Sequence, residues 1–470
     1  VRYSPTRRCA DGDEGIPTEV KQAKQSRSPV TPGRNSVTLR FSLQAPIARV
    51  VFALIIATIC IAVGRLVTAQ FIIGVFNDPR TTITRTELQA AAAYYPDSST
   101  LQALLAESEM TEAADHEGTA ARAVLSATRA VNLAPWRYDL RMILASAQDL
   151  NGDRAAAEGS LREATRLAPN NAEVHWRLAN LLVRENKLDA ALEHFRLAVT
   201  ANITRLQSVL DLVWNDSGGK FEAVDSAVGS LPDARLGLAF FLLKNARIEE
   251  AAGVFSQIDR QARLRSTETT KFLNVLISTG DVDLAHKLWV ELATGKRSDN
   301  PPPIWNGGFE EDLNPVRVGF DWNINNSKYA AVAIDPTTGH TGSRSLRVDF
   351  AGIDTTTLDG EFRQLLLVRP GARYRLECFV KTKNLVSPEG PRLAVMSADT
   401  TSQLAATDPI PAGSGEWRPL TVDFTVPSGA KTIEIRIRRQ SKLSYDEPTS
   451  GIIWFDDFSL VDLAGPGGRK

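Results

Sequence analysis

Cysteine is nearly absent: the chain has three in 470 residues. Cys9 lies in a polar tail, Cys60 in an apolar run and Cys378 in a strand-like segment. So scattered a set makes no disulfide framework and leaves the redox compartment open. An excess of one charge is missing too, since 54 basic residues face 55 acidic ones, and nothing in that balance gathers nucleic acid. The five histidines, His116, His175, His194, His286 and His340, show no metal-ligand spacing. No metalloprotease helix motif, phosphate loop, dinucleotide fingerprint or nucleophile elbow occurs. The carboxylates single out no glycosidase pair, and the chain is read as a non-enzyme. Its length implies about three structural units. The first residue is Val1, which leaves the true start open.

Residues 1–45 are rich in Pro, Ser, Thr, Arg and Lys. Such a stretch buries too little surface to offset its ordering entropy, so a disordered tail is expected. Residues 46–76 follow as the expected membrane anchor. Val50 to Gly64 carries no charge and is bracketed by Arg49 and Arg65, and the apolar trend resumes to Phe76. Roughly 20 helical residues cross a hydrocarbon core. The uncharged run is short for that, and Ile47 and Leu66 extend it while the arginines snorkel to the headgroups. Arg2, Arg7, Arg8, Lys21, Lys24, Arg27, Arg34 and Arg40 precede the span, which places the N-terminus in the cytoplasm and the bulk outside it, periplasmic or at the cell surface. Signal cleavage near Val67-Thr68-Ala69 is the competing reading, and export survives either one.

From 86 to 297 the sequence is rich in Ala and Leu with helical periodicity. A repeat runs through it: 34 residues separate Pro135 from Pro169, Ala157 from Ala191 and Ala251 from Ala285. In the clearest unit, Ala172 to Val199, Ala179 and Ala191 let two antiparallel helices approach, and Phe195 fills the gap to the next pair. Gly118, Gly152 and Gly280 fall at the turns between helices, where positive φ is useful. Between Ala201 and Leu231 the period slips, which predicts a shortened unit with a kink or cap. The spacing and residue types resemble the tetratricopeptide repeat family. That resemblance implies a superhelix with a protein-binding groove, and Arg141, Arg177, Asn180 and Arg184 are the candidate groove residues.

Prolines at 298–303 mark a linker. From 304 to 463, short alternating runs separated by Gly, Pro, Asn and Asp predict an all-β sandwich, with 464–470 as a flexible tail. Ile433, Ile435 and Ile437 are expected inward, and Tyr374, Leu376, Cys378 and Val380 share one face. The ordered series NGGFE (306–310), GSRSLRV (342–348), RPGARYRLECFVKT (369–382), GEWRPLTVDFTVP (415–427) and GIIWFDDFSL (451–460) resembles the jelly-roll carbohydrate-binding modules found beside xylanases and glucanases. The resemblance implies a structural calcium, placed at Glu310 and Asp457. The same two side chains equally suit turn capping or pairing with arginines. Sugar sites use rings and polar groups, and the candidates are Trp322, Tyr329, Phe379, Arg436, Arg438 and Tyr445. Trp417 and Trp454 are read as packed interior. The outward residues Arg347, Asp349, Arg375, Glu377, Arg436 and Arg438 read as one polar face, better suited to an acidic glycan or a protein.

The expectation is therefore a multidomain chain: a transmembrane helix, an all-α tetratricopeptide-like superhelix and an all-β jelly-roll sandwich. It would act as an envelope scaffold, with a protein partner on the repeats and glycan or cell-surface polysaccharide on the sandwich, in envelope or exopolysaccharide assembly. A protein-binding assembly factor without sugar binding is the alternative, and a carbohydrate-active enzyme a distant third.

Overall fold

The computed structural model describes residues 46–76, 85–113, 118–296, 298, 301–441 and 448–463. The expected tails, 1–45 and 464–470, lie outside the described residues. Residues 1–79 and 80–470 form two compact units.

In the first unit, α1 (Pro46–Phe76) is one continuous helix of 31 residues. Thr58 and Thr68 donate their hydroxyls back to the carbonyls of Leu54 (2.7 Å) and Gly64 (2.8 Å), which satisfies them within the helix. Its large apolar side chains, Phe52, Leu54, Ile61 and Phe71 among them, are exposed. Over the described residues, no helix is long and apolar enough to cross a membrane. The side chain of Leu66, on which the expected span leans, lies outside the described residues.

The second unit opens with α2 (Arg85–Tyr94) and continues in antiparallel helix pairs: α3 (Ser99–Glu112) with α4 (Thr119–Leu133), α5 (Tyr138–Leu150) with α6 (Arg154–Leu167), and α7 (Ala172–Arg184) with α8 (Leu188–Ala201). Then come α9 (Leu206–Ser217) with α10 (Phe221–Val228), α11 (Pro232–Lys244) with α12 (Ile248–Gln257), the short α13 (Arg260–Arg265), and α14 (Thr267–Ser278) with α15 (Val282–Thr294). Polar caps start several of them. Asp153 accepts from the Ala156 amide, and Asn171 accepts from the amides of Glu173 and Val174.

The alanine spacing does the steric work expected of it. Ala157, Ala191, Ala251 and Ala285 are fully buried, and four residues on stand Leu161, Phe195, Phe255 and Trp289, buried as fillers. The slipped segment holds the shortened unit that the spacing predicts, and corrects the expected cap. It forms a complete, shortened pair (α9 and α10), and Val209, Leu210, Val213, Val224 and Ala227 belong to the same core as the pairs on either side. The superhelix is neither capped nor interrupted there. The irregularity the periodicity did not reveal is α13, inserted before the last pair.

The β region is a sandwich of ten strands among the described residues: β1 (Asn323–Ile324), β2 (Ala330–Asp335), β3 (Ser345–Ala351), β4 (Leu358–Leu367), β5 (Arg373–Val386), β6 (Arg392–Ser397), β7 (Gln403–Ala406), β8 (Gly413–Thr425), β9 (Thr432–Arg439) and β10 (Ser450–Asp462). One sheet, here the front sheet, has the order β1-β4-β9-β6-β7, and the back sheet has β2-β3-β10-β5-β8. The inner residues of both sheets make one core.

The proline linker does not separate the two domains. Beyond it, residues 304–322 fold back as a strap on α15, and Val316, Val318 and Phe320 join the repeat core, with Leu365 and Leu367 of β4 packed against it. Trp289 of α15 is fully buried. Its indole N–H donates to the Val316 carbonyl (3.0 Å), and its ring meets Trp305 edge-on at 5.1 Å. His286, one turn earlier, meets Phe320 at 4.9 Å, and burial pushes its pKa down to about 4.

Two outcomes are expected of this packing. Gly152 (φ 86°) and Gly280 (φ 90°) hold left-handed turns, and Ala246 holds the equivalent turn at φ 57°. Ala246 is exposed, so Ala246→Gly is expected to raise stability by about 1 kcal/mol through relief of that conformation. The check is a higher denaturant midpoint at unchanged slope. His286 folds best neutral, so its contribution is present above the ordinary histidine pKa and is lost as pH falls from about 6.5 towards 4. His286→Phe should flatten stability against pH across that window, measured by denaturation at a series of pH values.

Candidate functional site

The front sheet sends Phe362 and Leu366 of β4, Leu393 and Val395 of β6, and Ile433, Ile435 and Ile437 of β9 into the core. Alternation therefore turns their neighbours to the opposite, open face. Register aligns them in cross-strand rows: Asp359–Arg438–Arg392, Arg363–Arg436–Ala394 and, where the strap covers Leu365, Leu365–Glu434–Met396. Arginines directly opposite one another repel, and two carboxylates offset this. Asp359 meets Arg436 at 3.2 Å and Arg438 at 3.3 Å, while Glu434 meets Arg436 at 2.5 Å and Arg363 at 3.6 Å. None of the outward residues on these strands is aromatic. At the end of this face opens a cleft of about 350 Å³, lined by Arg392, Gln403, Arg438, Gln440 and Ser441 together with Glu389.

The six glycan candidates are not one site. Arg436 and Arg438 share the open face of the front sheet. Trp322 is a core residue, 1% exposed, with its indole N–H on the Asn306 carbonyl (3.0 Å) and its ring against Phe458 at 4.7 Å. A strand edge hid this in the sequence, where loop-like flanks suggested exposure. Phe379 belongs to the back sheet, stacked on His340 with ring centroids 3.7 Å apart. Tyr329 precedes β2 on that sheet, under the Lys328 ammonium at 4.7 Å. Tyr445 lies outside the described residues. The single polar face expected from Arg347 to Arg438 also divides: Arg347, Asp349, Arg375 and Glu377 sit on β3 and β5 of the back sheet. Trp454 is on the outer face of that sheet, outside the core, beneath Arg347 and bonded to Asp335 (2.9 Å). The open-face residues Asp359, Arg363 and Arg392 went unrecognised because β4 was not read as a strand, and Arg392 was read only as part of one.

Glu310 and Asp457 do converge, on the loop 340–344. Glu310 accepts from the amides of Ser343 (2.8 Å) and Arg344 (2.9 Å), which hold its carboxyl below the usual range. Asp457 accepts from Thr341 Oγ1 (2.6 Å) and pairs with His340 Nδ1 (2.6 Å). Asp456 beside it accepts from the His340 amide (2.6 Å), and burial pushes its carboxyl up to about 6. A Cβ at Gly342 would sit 2.3 Å from Glu310 Oε1, so the cradle requires glycine. In kind, these hard oxygens fit calcium. In number they are few: among the described residues, no group of three or more His, Cys, Asp or Glu is arranged to hold a metal, so backbone carbonyls would supply the remainder.

On the repeats, Arg177, Asn180 and Arg184 line one cavity of about 180 Å³ with Ser146, Asp149 and Trp176. Arg184 pairs with Asp149 (2.6 Å), Arg177 with Glu173 (2.8 Å), and Asn180 Nδ2 donates to the Trp176 carbonyl (2.7 Å). Arg141 is not part of this lining, and its charge acts on Glu163 of α6. Neutralising the Asp149 anchor by Asp149→Asn is expected to free Arg184 at a stability cost of at most about 1 kcal/mol, measured by thermal unfolding.

Residues 303–449 match the CBM_4_9 family model, described as a carbohydrate binding domain. The match stops before β10, which lies at the centre of the back sheet. No curated protein matches. Among solved structures, one described as "CBM4 structure and function" is 18% identical over 34% of this chain and 99% of its own, at a TM-score of 0.26. A MamA crystal structure is 18% identical over 34% of this chain and 83% of its own, at 0.28. A family 16 carbohydrate binding module is 16% identical over 34% and 99%, at 0.24. At such identities and scores, these likenesses carry no argument about ligand or partner. The chain joins a tetratricopeptide-like helical array to a β-sandwich that a carbohydrate-binding family model matches.

Proposed function

We propose that this chain is a non-catalytic scaffold anchored in a cell envelope, with its repeats holding a protein partner and its sandwich holding a glycan. The observation that carries the reading is the shared core at the strap: Trp289, Val316 and Phe320 join a protein-binding type of array to a domain of a carbohydrate-binding family without a free hinge. An array and a sandwich so coupled suit holding two things at a set separation, as assembly of an envelope or exopolysaccharide requires. Anchoring rests on the exposed apolar surface of α1, with Arg49 and Arg65 snorkelling. Adding protease to spheroplasts tests it: both domains should be digested from outside, and protection until lysis would remove the envelope role.

The second reading, an assembly factor that binds only proteins, is favoured by the ion-paired open face, whose outward residues on β4, β6 and β9 include no ring. A glycan array probed with the full chain in detergent separates the two, since silence towards every neutral and acidic glycan selects the protein-only reading. Release of product from any glycan that binds would overturn the non-catalytic part.

We also propose calcium at Glu310 and Asp457, assisted by backbone carbonyls near Gly342. Calcium is expected to raise the melting temperature and EDTA to lower it, with Glu310→Gln abolishing the response. A melting temperature indifferent to both would overturn the calcium site and leave the loop fastened by its hydrogen bonds to Glu310, Asp456 and Asp457.

A further inference from the structure

The cleft at the end of the front sheet's open face is lined by more guanidiniums than carboxylates. Arg392, Arg438 and Arg439 stand around it with Glu389, while on the neighbouring rows Arg363, Arg436 and Arg438 pair with Asp359 and Glu434. The hydrogen bonding of these rows is incomplete. Arg436 and Arg438 keep only 16% and 23% of their side chains exposed, and the Nε–H of each, like Glu434 Oε1, has no partner in hydrogen-bond geometry, although Arg438 Nε lies 3.3 Å from Asp359. A buried donor left unsatisfied is unfavourable until an acceptor arrives.

The cleft of about 350 Å³ opens directly beside Arg438, and its volume falls in the range of small-ligand sites, ~300–1,000 Å³. Arg438 Nη1 is steadied by Gln403 Oε1 at 2.8 Å, and Gln440 and Ser441 offer amide and hydroxyl groups around the rim. Among the described residues a neutral sugar finds no ring to stack on here, and it would leave the excess charge uncompensated. A carboxylate presents two coplanar oxygens that match the guanidinium fork.

We infer that this face binds a carboxylate-bearing polysaccharide, with one uronate seated in the cleft on Arg438 and flanking residues lying along the row to Arg436 and Arg363. The inference rests on the proposed glycan-binding role of the sandwich and adds to it the class of sugar and the residues that read it. Gln403 and Gln440 contact hydroxyls, and the arginines supply the selectivity for charge. Because the site is half-exposed, its affinity falls as salt rises.

The test is affinity electrophoresis of the full chain in detergent through gels containing polygalacturonate, carboxyl-reduced polygalacturonate or xylan. Retardation by polygalacturonate is expected, about tenfold weaker on the carboxyl-reduced polymer, whose backbone is the same but whose charge is gone. Arg438→Gln should lose about tenfold at an unchanged melting temperature, and Arg375→Gln on the back sheet should lose nothing. If Arg438→Gln fails to fold, Arg392→Gln at the same cleft makes the comparison. Equal retardation by the reduced polymer or by xylan, or full binding by a folded Arg438→Gln, overturns the uronate inference and leaves glycan binding standing. Retardation by no polymer removes both.

Discussion

Trp289 sits where two folds would otherwise each have an unfinished end. A stack of helix pairs buries the face of each pair only against the next, so the last pair of any such array leaves apolar surface open to water. Here α15 places Trp289 at that end, fully buried, and the strap brings Val316, Val318 and Phe320 over it. The indole N–H would be a costly orphan in so dry a place, and a carbonyl from the strap satisfies it. The strap in turn runs along β4, where the Leu365 amide donates to the Gly319 carbonyl at 2.7 Å. Its next residues become β1, paired with β4. The cap of the superhelix is thus the first edge of the sandwich.

That arrangement gives the proline-rich junction a different meaning from a flexible tether. α15 ends at Thr294 on Gly295, whose left-handed backbone (φ 72°) closes the helix before the prolines are reached, and the strap beyond the prolines is bound on both sides. His286 and Trp305 complete an aromatic cluster around Trp289. Whatever the array holds and whatever the sandwich holds are therefore joined through packed side chains, which transmit position far better than a coil does.

On β9 the inward isoleucines secure the core, while the outward residues between them set the chemistry of the open face. Here those positions carry Glu434, Arg436 and Arg438, and the neighbouring strands answer with Asp359, Arg363 and Arg392. Such a ladder is half-buried, so its charges are screened less than surface pairs and their balance matters more. Across the sandwich the loop 340–344 is fastened by a different logic. Backbone amides are aimed at Glu310 and Asp456, and His340 lies between Asp457 and the ring of Phe379.

The sequence by itself determined the elements whose signal is local and periodic. Alanines 34 residues apart report where two helices must touch, because only a small side chain fits, and Ala157, Ala191, Ala251 and Ala285 are all buried at such contacts. Alternation in β3, β5 and β9 reports a half-buried strand in the same way. β4 escaped because its pattern is broken twice, by the register shift between Asp359 and Arg363 and by Gln364, a polar residue turned inward to donate to the Trp305 carbonyl (2.9 Å). Tertiary structure alone decided which sheet each strand joined. Alternation says which residues share a face of one strand, and says nothing of which strands lie side by side. That is why Arg436 and Arg375 looked like companions, why Trp322 looked exposed, and why the strap that finishes the superhelix, irregular and without period, left no trace until the chain was folded.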